Sequence, residues 1–392
     1  MAVNSILTRF TAFDVPRVPF GETPLSQYPS VIIHQLRNTP ISLVSALQTM
    51  DMFVEFNHGD SADPFPSNGA LPPKRPNANA RPCLNQIIFN LIRQQGNQFR
   101  NSIFTVGIFG EVARIIRWDR SGCRVTAEIH YSTEEGNRQL TEFFLRFDRM
   151  AGDPEARGWD PNVSDATAEE VKIFAQAVEA VCVERPKSGR MMTRTQKKKA
   201  EDSVAAHPIF CTLVKSVGDP GEYPRKKVPV MDGEISRDYI VGRPAHYSKT
   251  LTGRITRKFV AMSAETKALV FLTETWRVDT AVMPEEDYFY KCLLSKKSPG
   301  STTLKDTFAY SLYERQETGV GYVRYRMVQP ELFIPLLMFR DSKHLTSIML
   351  DIAQGASFRF THRTSAPDPR LQRLNSYMGP GFSTSISILG TL

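Results

Sequence analysis

No stretch of this sequence approaches the ~20 consecutive apolar residues that span a bilayer. The opening MAVNSILTRFTAFDVP lacks the charged start, long apolar run and small-residue cleavage site of a secretory leader. Together these absences lead to the expectation of an intracellular protein without a membrane partner. Cysteine is sparse: five residues, Cys83, Cys123, Cys182, Cys211 and Cys292, too far apart for a metal-ligand pattern. Buried free thiols are the expectation for them. Long tracts of one charge are also rare. The exception is Arg185 to Lys199, RPKSGRMMTRTQKKK, which holds no acidic residue. It reads as a solvated linker, with a nuclear-localisation signal or a patch for an anionic surface as the alternative. The expected location is therefore cytoplasmic or nuclear.

What is present is the composition of a folded protein: 392 residues, 41% hydrophobic and 23% charged, with a net charge of +8. That length accommodates two domains, each with its own core. The net positive charge permits contact with nucleic acid without requiring it. The 26 prolines fall mostly outside the periodic segments and predict long connections.

Taken in order, residues 1–39 show little periodicity. Pro40 to Asn57 places Leu43, Leu47, Met50, Phe53 and Val54 on one helical stripe, and residues 58–82 read as an exposed loop. Leu84 to Arg100 has helical spacing. Three strand-like runs follow, Ser102 to Phe109, Glu111 to Trp118 and Cys123 to Tyr131, with a hairpin turn at Asp119-Arg120-Ser121-Gly122. Leu140 to Met150 is amphipathic, residues 151–165 read as a polar loop, and Ala166 to Val183 reads as a helix capped by Ser164 or Asp165. The first domain is thus expected to be α+β. A nuclease core would need an acidic pair and a lysine gathered on adjacent strands, and Asp119 and Glu128 do not supply them. Arg114 and Arg117 read as a solvated strand face, and Trp118, Trp159 and Trp276 as core anchors.

Residues 218–233 are Pro- and Gly-bearing, and Glu234 to Val241 opens a second domain. The stretch from Leu251 to Leu294 predicts a hairpin, with strands over Arg254 to Met262 and Ala268 to Leu272 around a polar turn. A helix beginning at Pro284, with Glu285, Glu286 and Asp287 in its first turn, follows. Glycine, strand, strand, helix is the order in which a protein kinase small lobe begins, with a phosphate-binding lysine on the second of those strands and a glutamate on the helix.

Further blocks extend this likeness. FTVGIFGEVARIIRWDRSGCRVTAEIHY (Phe104 to Tyr131) and RGWDPNV (Arg157 to Val163) resemble the N-terminal block of the fungal-type protein kinase domain family. TGRITRKFVAMSAETKALVFLTETWR (Thr252 to Arg277) resembles that family's Gly-loop and lysine strand, and YVRYRMVQPELFIPLLMFRDSKHLTSIMLDIAQ (Tyr322 to Gln354) its hinge strand and following helix. The resemblance implies a division into residues 1–83, an α+β region 84–183, a basic and Pro/Gly-rich connection 184–233, a kinase-like small lobe with hinge 234–355, and a tail 356–392 unlike a kinase. It also implies ATP and Mg²⁺ as cofactors and Ser/Thr phosphorylation as the activity. In this alignment Gly253 is the first loop glycine and Glu286 the helix glutamate, both on the ATP side, while Thr273 occupies the lysine position. The catalytic-loop match, Thr361-His362-Arg363-Thr364, has Thr364 where the base belongs, and no metal-binding aspartate follows.

Threonine is short and neutral, so it cannot neutralise phosphates or pair with Glu286. The expectation is a truncated or degenerate member with the large lobe largely missing, inactive in catalysis and serving at most as a binding or scaffold module. An active kinase in which another lysine, Lys258 or Lys267, reaches the phosphates is the alternative. A nucleic-acid-binding protein that uses the basic run is the second alternative.

Overall fold

The computed structural model describes residues 7–14, 29–35, 47–57, 63–65, 80–182, 214–232, 234–253, 255–278, 308–312, 322–329, 342 and 346. It is an α+β protein built on two sheets. The first sheet has seven strands in the order β1 (Phe10–Asp14), β2 (Val31–Gln35), β3 (Met52–Asn57), β4 (Ile103–Phe109), β5 (Val112–Trp118) and β6 (Cys123–Val125), with the short β7 (Ile129–His130) also pairing with β5. Neighbours are antiparallel except β3 and β4, which run parallel. A parallel pair needs a crossover, and helix α1 (Ala80–Asn97) lies within it.

Each face of this sheet is covered by a helix. Cys83, Ile87 and Leu91 of α1 pack with Ile32, Phe53, Ile103, Phe109, Ile116 and Trp118. On the other face, Phe144 and Phe147 of α2 (Glu134–Arg149) pack with Phe10, Ile33, Met52, Val54 and Val106. This sandwich corrects the helix expected over Pro40 to Asn57. Among the described residues of that span, 47–49 are helical and Met52–Asn57 is a strand, while residues 40–46 lie outside the described residues. A strand buried on both faces carries apolar residues continuously, so Met50, Phe53 and Val54 imitate a helical stripe. Strands β1 and β2 likewise fall where the sequence shows little periodicity. The run expected as one strand over Cys123 to Tyr131 is split into β6 and β7.

The second sheet has eight strands in the order β14 (Phe308–Leu312), β15 (Tyr322–Gln329), β13 (Leu269–Val278), β12 (Thr256–Ser263), β10 (Ile235–Val241), β9 (Lys226–Asp232) and β8 (Ser164–Asp165), with β11 (His246–Tyr247) also pairing with β12. Every pairing in it is antiparallel. The β12–β13 hairpin lies where the sequence predicts it, turned at Ser263–Ala268, with Lys267 in the left-handed region at φ 60°. Two expectations fail nearby. Lys226–Asp232, within the expected connection, is strand β9 and precedes β10. Ser164 and Asp165 form β8 rather than capping α3 (Ala168–Cys182). The cap is Thr167, whose hydroxyl accepts from the Glu170 N–H at 3.2 Å while its own N–H donates to Glu170 at 2.8 Å.

Phe174 of α3 packs on one face of the second sheet against Val217, Ile240, Val260 and Met262. The opposite face holds Val228, Val230, Tyr239, Val241, Phe259, Leu272 and Val328, and Phe99 from the end of α1 joins that cluster. The second sheet is therefore docked, through that face, on the first unit.

Candidate functional site

The strand period of two separates the side chains of β12, β13 and β15 into two rows with different chemistry. On the face toward the first unit stand Arg257, Glu274, Trp276, Arg324 and Arg326. The register aligns Arg257 with Glu274 and Glu274 with Arg326 across three adjacent strands. Glu274 is buried at 1% exposure. It accepts from Arg257 Nε at 3.1 Å and again from that guanidinium's Nη2, and from Arg326 Nε at 2.8 Å.

This row reaches into the loop of residues 151–165. Asp160, also buried, accepts from Arg326 Nη2 at 2.8 Å and from Arg324. Arg324 also donates to Asn101 Oδ1, and Arg257 donates to the Gln98 carbonyl at 2.6 Å. The guanidinium of Arg257 lies 4.3 Å from the Phe99 ring centre and that of Arg324 lies 4.6 Å from Trp276. Such stacking suits arginine's planar, weakly hydrated cation. A second knot adjoins the first. Asp51 accepts from Arg100 at 3.3 Å, from Arg157 and from Trp159 Nε1 at 2.8 Å, and Arg100 lies 3.8 Å from the Trp159 ring.

Burial alone would raise the Glu274 pKa, but Arg257, Arg326 and Arg324 more than offset it and hold the carboxyl well below the usual carboxylate range. Asp160 is depressed likewise: burial works against it and Arg324 and Arg326 prevail. For Arg326, burial is outweighed by Glu274 and Asp160, so its pKa rises. Arg120 is pushed the other way, to about 9, first by burial and then by Arg257 and Arg324. The knots are rich in cations, and the depressed Glu274 and Asp160 stay ionised near pH 7.

These residues correct two expectations. The loop of residues 151–165 is polar but holds buried Arg157 and Asp160. Arg114 is no solvated strand residue: it is 1% exposed, with Asp63 at 2.8 Å and Glu128 at 3.2 Å, while Arg117 is half-buried. Asp63 also belongs to the segment read as an exposed loop, and its neighbour Phe65 lies 6.5 Å from Trp118. Of the thiols expected to be buried, Cys83 is and Cys123 is exposed. Trp118 and Trp276 are buried as expected, and Trp159 is half-buried.

The face of β12 and β13 away from the first unit carries the sequence-predicted position. Thr273 is buried, with Lys258 of β12 directly opposite on one side and Met327 of β15 on the other. The same register continues from Lys258 to His246 of β11. His246, Lys258 and Thr273 therefore form one row across three strands. The His246 pKa is lowered, first by burial and then by Lys258 and Lys249, which favours the neutral imidazole.

Gly253 precedes this row. Its φ of 82° lies in the left-handed region, and the nearest atom to a Cβ placed there is Tyr322 Oη at 4.0 Å. The backbone angle, not crowding, demands glycine. Its N–H donates to the Arg120 carbonyl at 3.1 Å, in the β5–β6 turn. The RWDRSG turn and the glycine turn, far apart in sequence, thus meet. Glu286 and Thr364 lie outside the described residues, as do Arg185 to Lys199, Cys211 and Cys292.

Among the described residues no cluster of three or more His, Cys, Asp or Glu could hold a metal ion, and no helix is long and apolar enough to cross a membrane. Comparison with protein-family models, curated proteins and solved structures returned no match.

Proposed function

We propose that this chain is a fungal-type protein-kinase-like protein whose second sheet acts as a binding or scaffold module, not as a phosphoryl-transfer enzyme. The observation that carries the reading is the place of Thr273. In protein kinases the phosphate-binding lysine stands on the third strand of the small lobe. Counted from β10 through the paired strands β12 and β13, Thr273 stands on the third, one strand beyond the glycine turn at Gly253. β15, the segment resembling the hinge strand, pairs with β13 on its far side. This order supports a small-lobe layout.

Thr273 is buried and carries no charge, so it supplies neither the cation for α- and β-phosphates nor a partner for Glu286. The first unit, held to the opposite face by the hydrogen bonds of Arg257 to the Gln98 carbonyl and of Arg324 to Asn101, gives such a module a rigid backing. The test is phosphate transfer from radiolabelled ATP to a mixed Ser/Thr protein substrate by the purified chain. No transfer above the protein-free control is expected. Transfer that disappears in Glu286→Ala would overturn the reading and favour the active alternative.

A further inference from the structure

We infer that the seam between α1 and β11 is a docking surface for single-stranded nucleic acid. The inference goes beyond the function proposed above and does not depend on the small-lobe reading. It starts from the charge of two segments distant in sequence. Helix α1 contains Arg81 and Arg93 and no acidic residue. Gly242 to Gly253, which includes β11, contains Arg243, His246 and Lys249 and again no acidic residue. The fold brings these two acid-free segments together. Tyr247 of β11 lies against Gly96 of α1, where a Cβ would fall 2.4 Å from the tyrosine ring. Phe89, Arg93 and Gly96 follow at i, i+4 and i+7, so they share one side of α1.

The cations of this seam alternate with aromatic rings. Arg93 lies 5.6 Å from the Phe89 ring centre, and Arg243 lies 5.2 Å from that of Tyr223. Burial raises the Tyr223 pKa and Arg243 and Arg93 work against the rise, which puts both cations in the field of one ring. Arg243 and Lys249, on either side of β11, are exposed. Phe89 is 37% exposed, an unusual position for a large apolar ring. The neighbouring acids are Glu222 and Asp219, and Asp219 accepts from the Gly221 N–H at 2.8 Å within its own turn. A phosphate chain thus meets arginine and lysine, while its bases meet ring faces. Stacking platforms beside a cationic track are the chemistry that holds unpaired bases. A duplex keeps its bases stacked on one another and would leave the rings unused. A membrane surface needs a projecting apolar face. Tyr223 and Tyr247 are instead half-buried among the cations.

The experiment is fluorescence anisotropy of labelled oligothymidine and of an abasic strand of equal length, titrated with the full chain over a series of salt concentrations. The proteins are the native chain, Arg243→Gln/Lys249→Gln, Phe89→Ala, and Lys197→Gln/Lys198→Gln/Lys199→Gln in the basic run. The residues changed on the seam are exposed, and thermal unfolding verifies that each variant is folded. The native protein is expected to bind oligothymidine, with an affinity that falls as salt rises. Arg243→Gln/Lys249→Gln is expected to bind ~10-fold or more weakly and to show a shallower salt dependence, because two phosphate contacts are gone. Phe89→Ala is expected to weaken binding of oligothymidine by ~5-fold or more while leaving the abasic strand unchanged, because only a base can stack on the ring. No binding by the native protein overturns the inference, as does native affinity in Arg243→Gln/Lys249→Gln with the loss confined to the basic-run variant. Equal affinity for the two strands overturns the single-strand assignment in favour of a plain polyanion surface. Co-sedimentation with phosphatidylserine vesicles in the absence of oligothymidine binding overturns it in favour of a membrane surface. None of these outcomes bears on the phosphate-transfer test above.

Discussion

Replacing Glu274 with glutamine tests what holds Arg257, the residue that donates to the Gln98 carbonyl of the first unit. The carboxylate is fully buried and accepts from Arg257 and Arg326, which lie on either side of it in adjacent strands. Glutamine keeps the shape and one acceptor but removes the charge. Asp160 then remains as the carboxylate paired with Arg324 and Arg326, while Arg257 loses its carboxylate partner. Breaking a buried pair by removing one partner costs roughly 3–5 kcal/mol, because a charge stays buried without compensation. Against a typical domain stability of about 5–15 kcal/mol this is a large share. Equilibrium urea unfolding of native protein and Glu274→Gln measures it.

The pH dependence supplies an independent sign. The folded pKa of Glu274 lies below the unfolded value of roughly 4.3, so its contribution is complete above that pH and is lost as pH falls through the depressed folded value. Native protein is thus expected to lose stability more steeply on acidification below about pH 4 than Glu274→Gln does. A double-mutant cycle with Arg257→Met is expected to give a coupling of about 1 kcal/mol or more. A variant within about 1 kcal/mol of native, with an unchanged acid profile and no coupling to Arg257, would refute the claim that this buried pair stabilises the second sheet.

Three other substitutions probe separate parts of the argument. Gly96→Ala in α1 places a Cβ into the ring of Tyr247 from the second sheet; in a free helix the change would stabilise by about 1 kcal/mol, so a loss of roughly 1–3 kcal/mol in thermal unfolding signals that contact. Asp51→Asn removes the acceptor charge shared by Arg100 and Arg157 and is expected to cost about 3 kcal/mol in urea unfolding. Thr133→Ala removes the cap of α2, whose hydroxyl accepts from the Gly136 N–H at 3.1 Å, and is expected to cost about 1 kcal/mol by the same measurement.

The elements legible in the sequence are those decided by neighbours along the chain. Helix α1, the β4–β5 hairpin, α2 and the β12–β13 hairpin each announce themselves by local period, turn residues or caps. The expected location of Thr273 on a strand of the second hairpin follows from the same signals. What the sequence obscured was set by partners distant in the chain. β3 is a strand because it pairs in parallel with β4 and is sandwiched by α1 and α2, which erases its alternation. β9 is a strand because β10 and β8 flank it.

The same division holds for the site. Sequence reading placed Thr273 and nominated Lys258 among other lysines, but only pairing register sets Lys258 directly opposite it. Arg257, Arg324 and Arg326 look like ordinary surface cations in the sequence, since arginine and lysine are rarely buried unless paired. Their partners Glu274 and Asp160 are up to 166 residues away. Composition and local period determined by themselves that this is an α+β chain with a hairpin carrying threonine at its central position. Tertiary structure alone decided which face of that hairpin is filled by the first unit and which packs against α3. The physical reason is that a charge can be buried only where a distant opposite charge meets it, and no local pattern encodes that meeting.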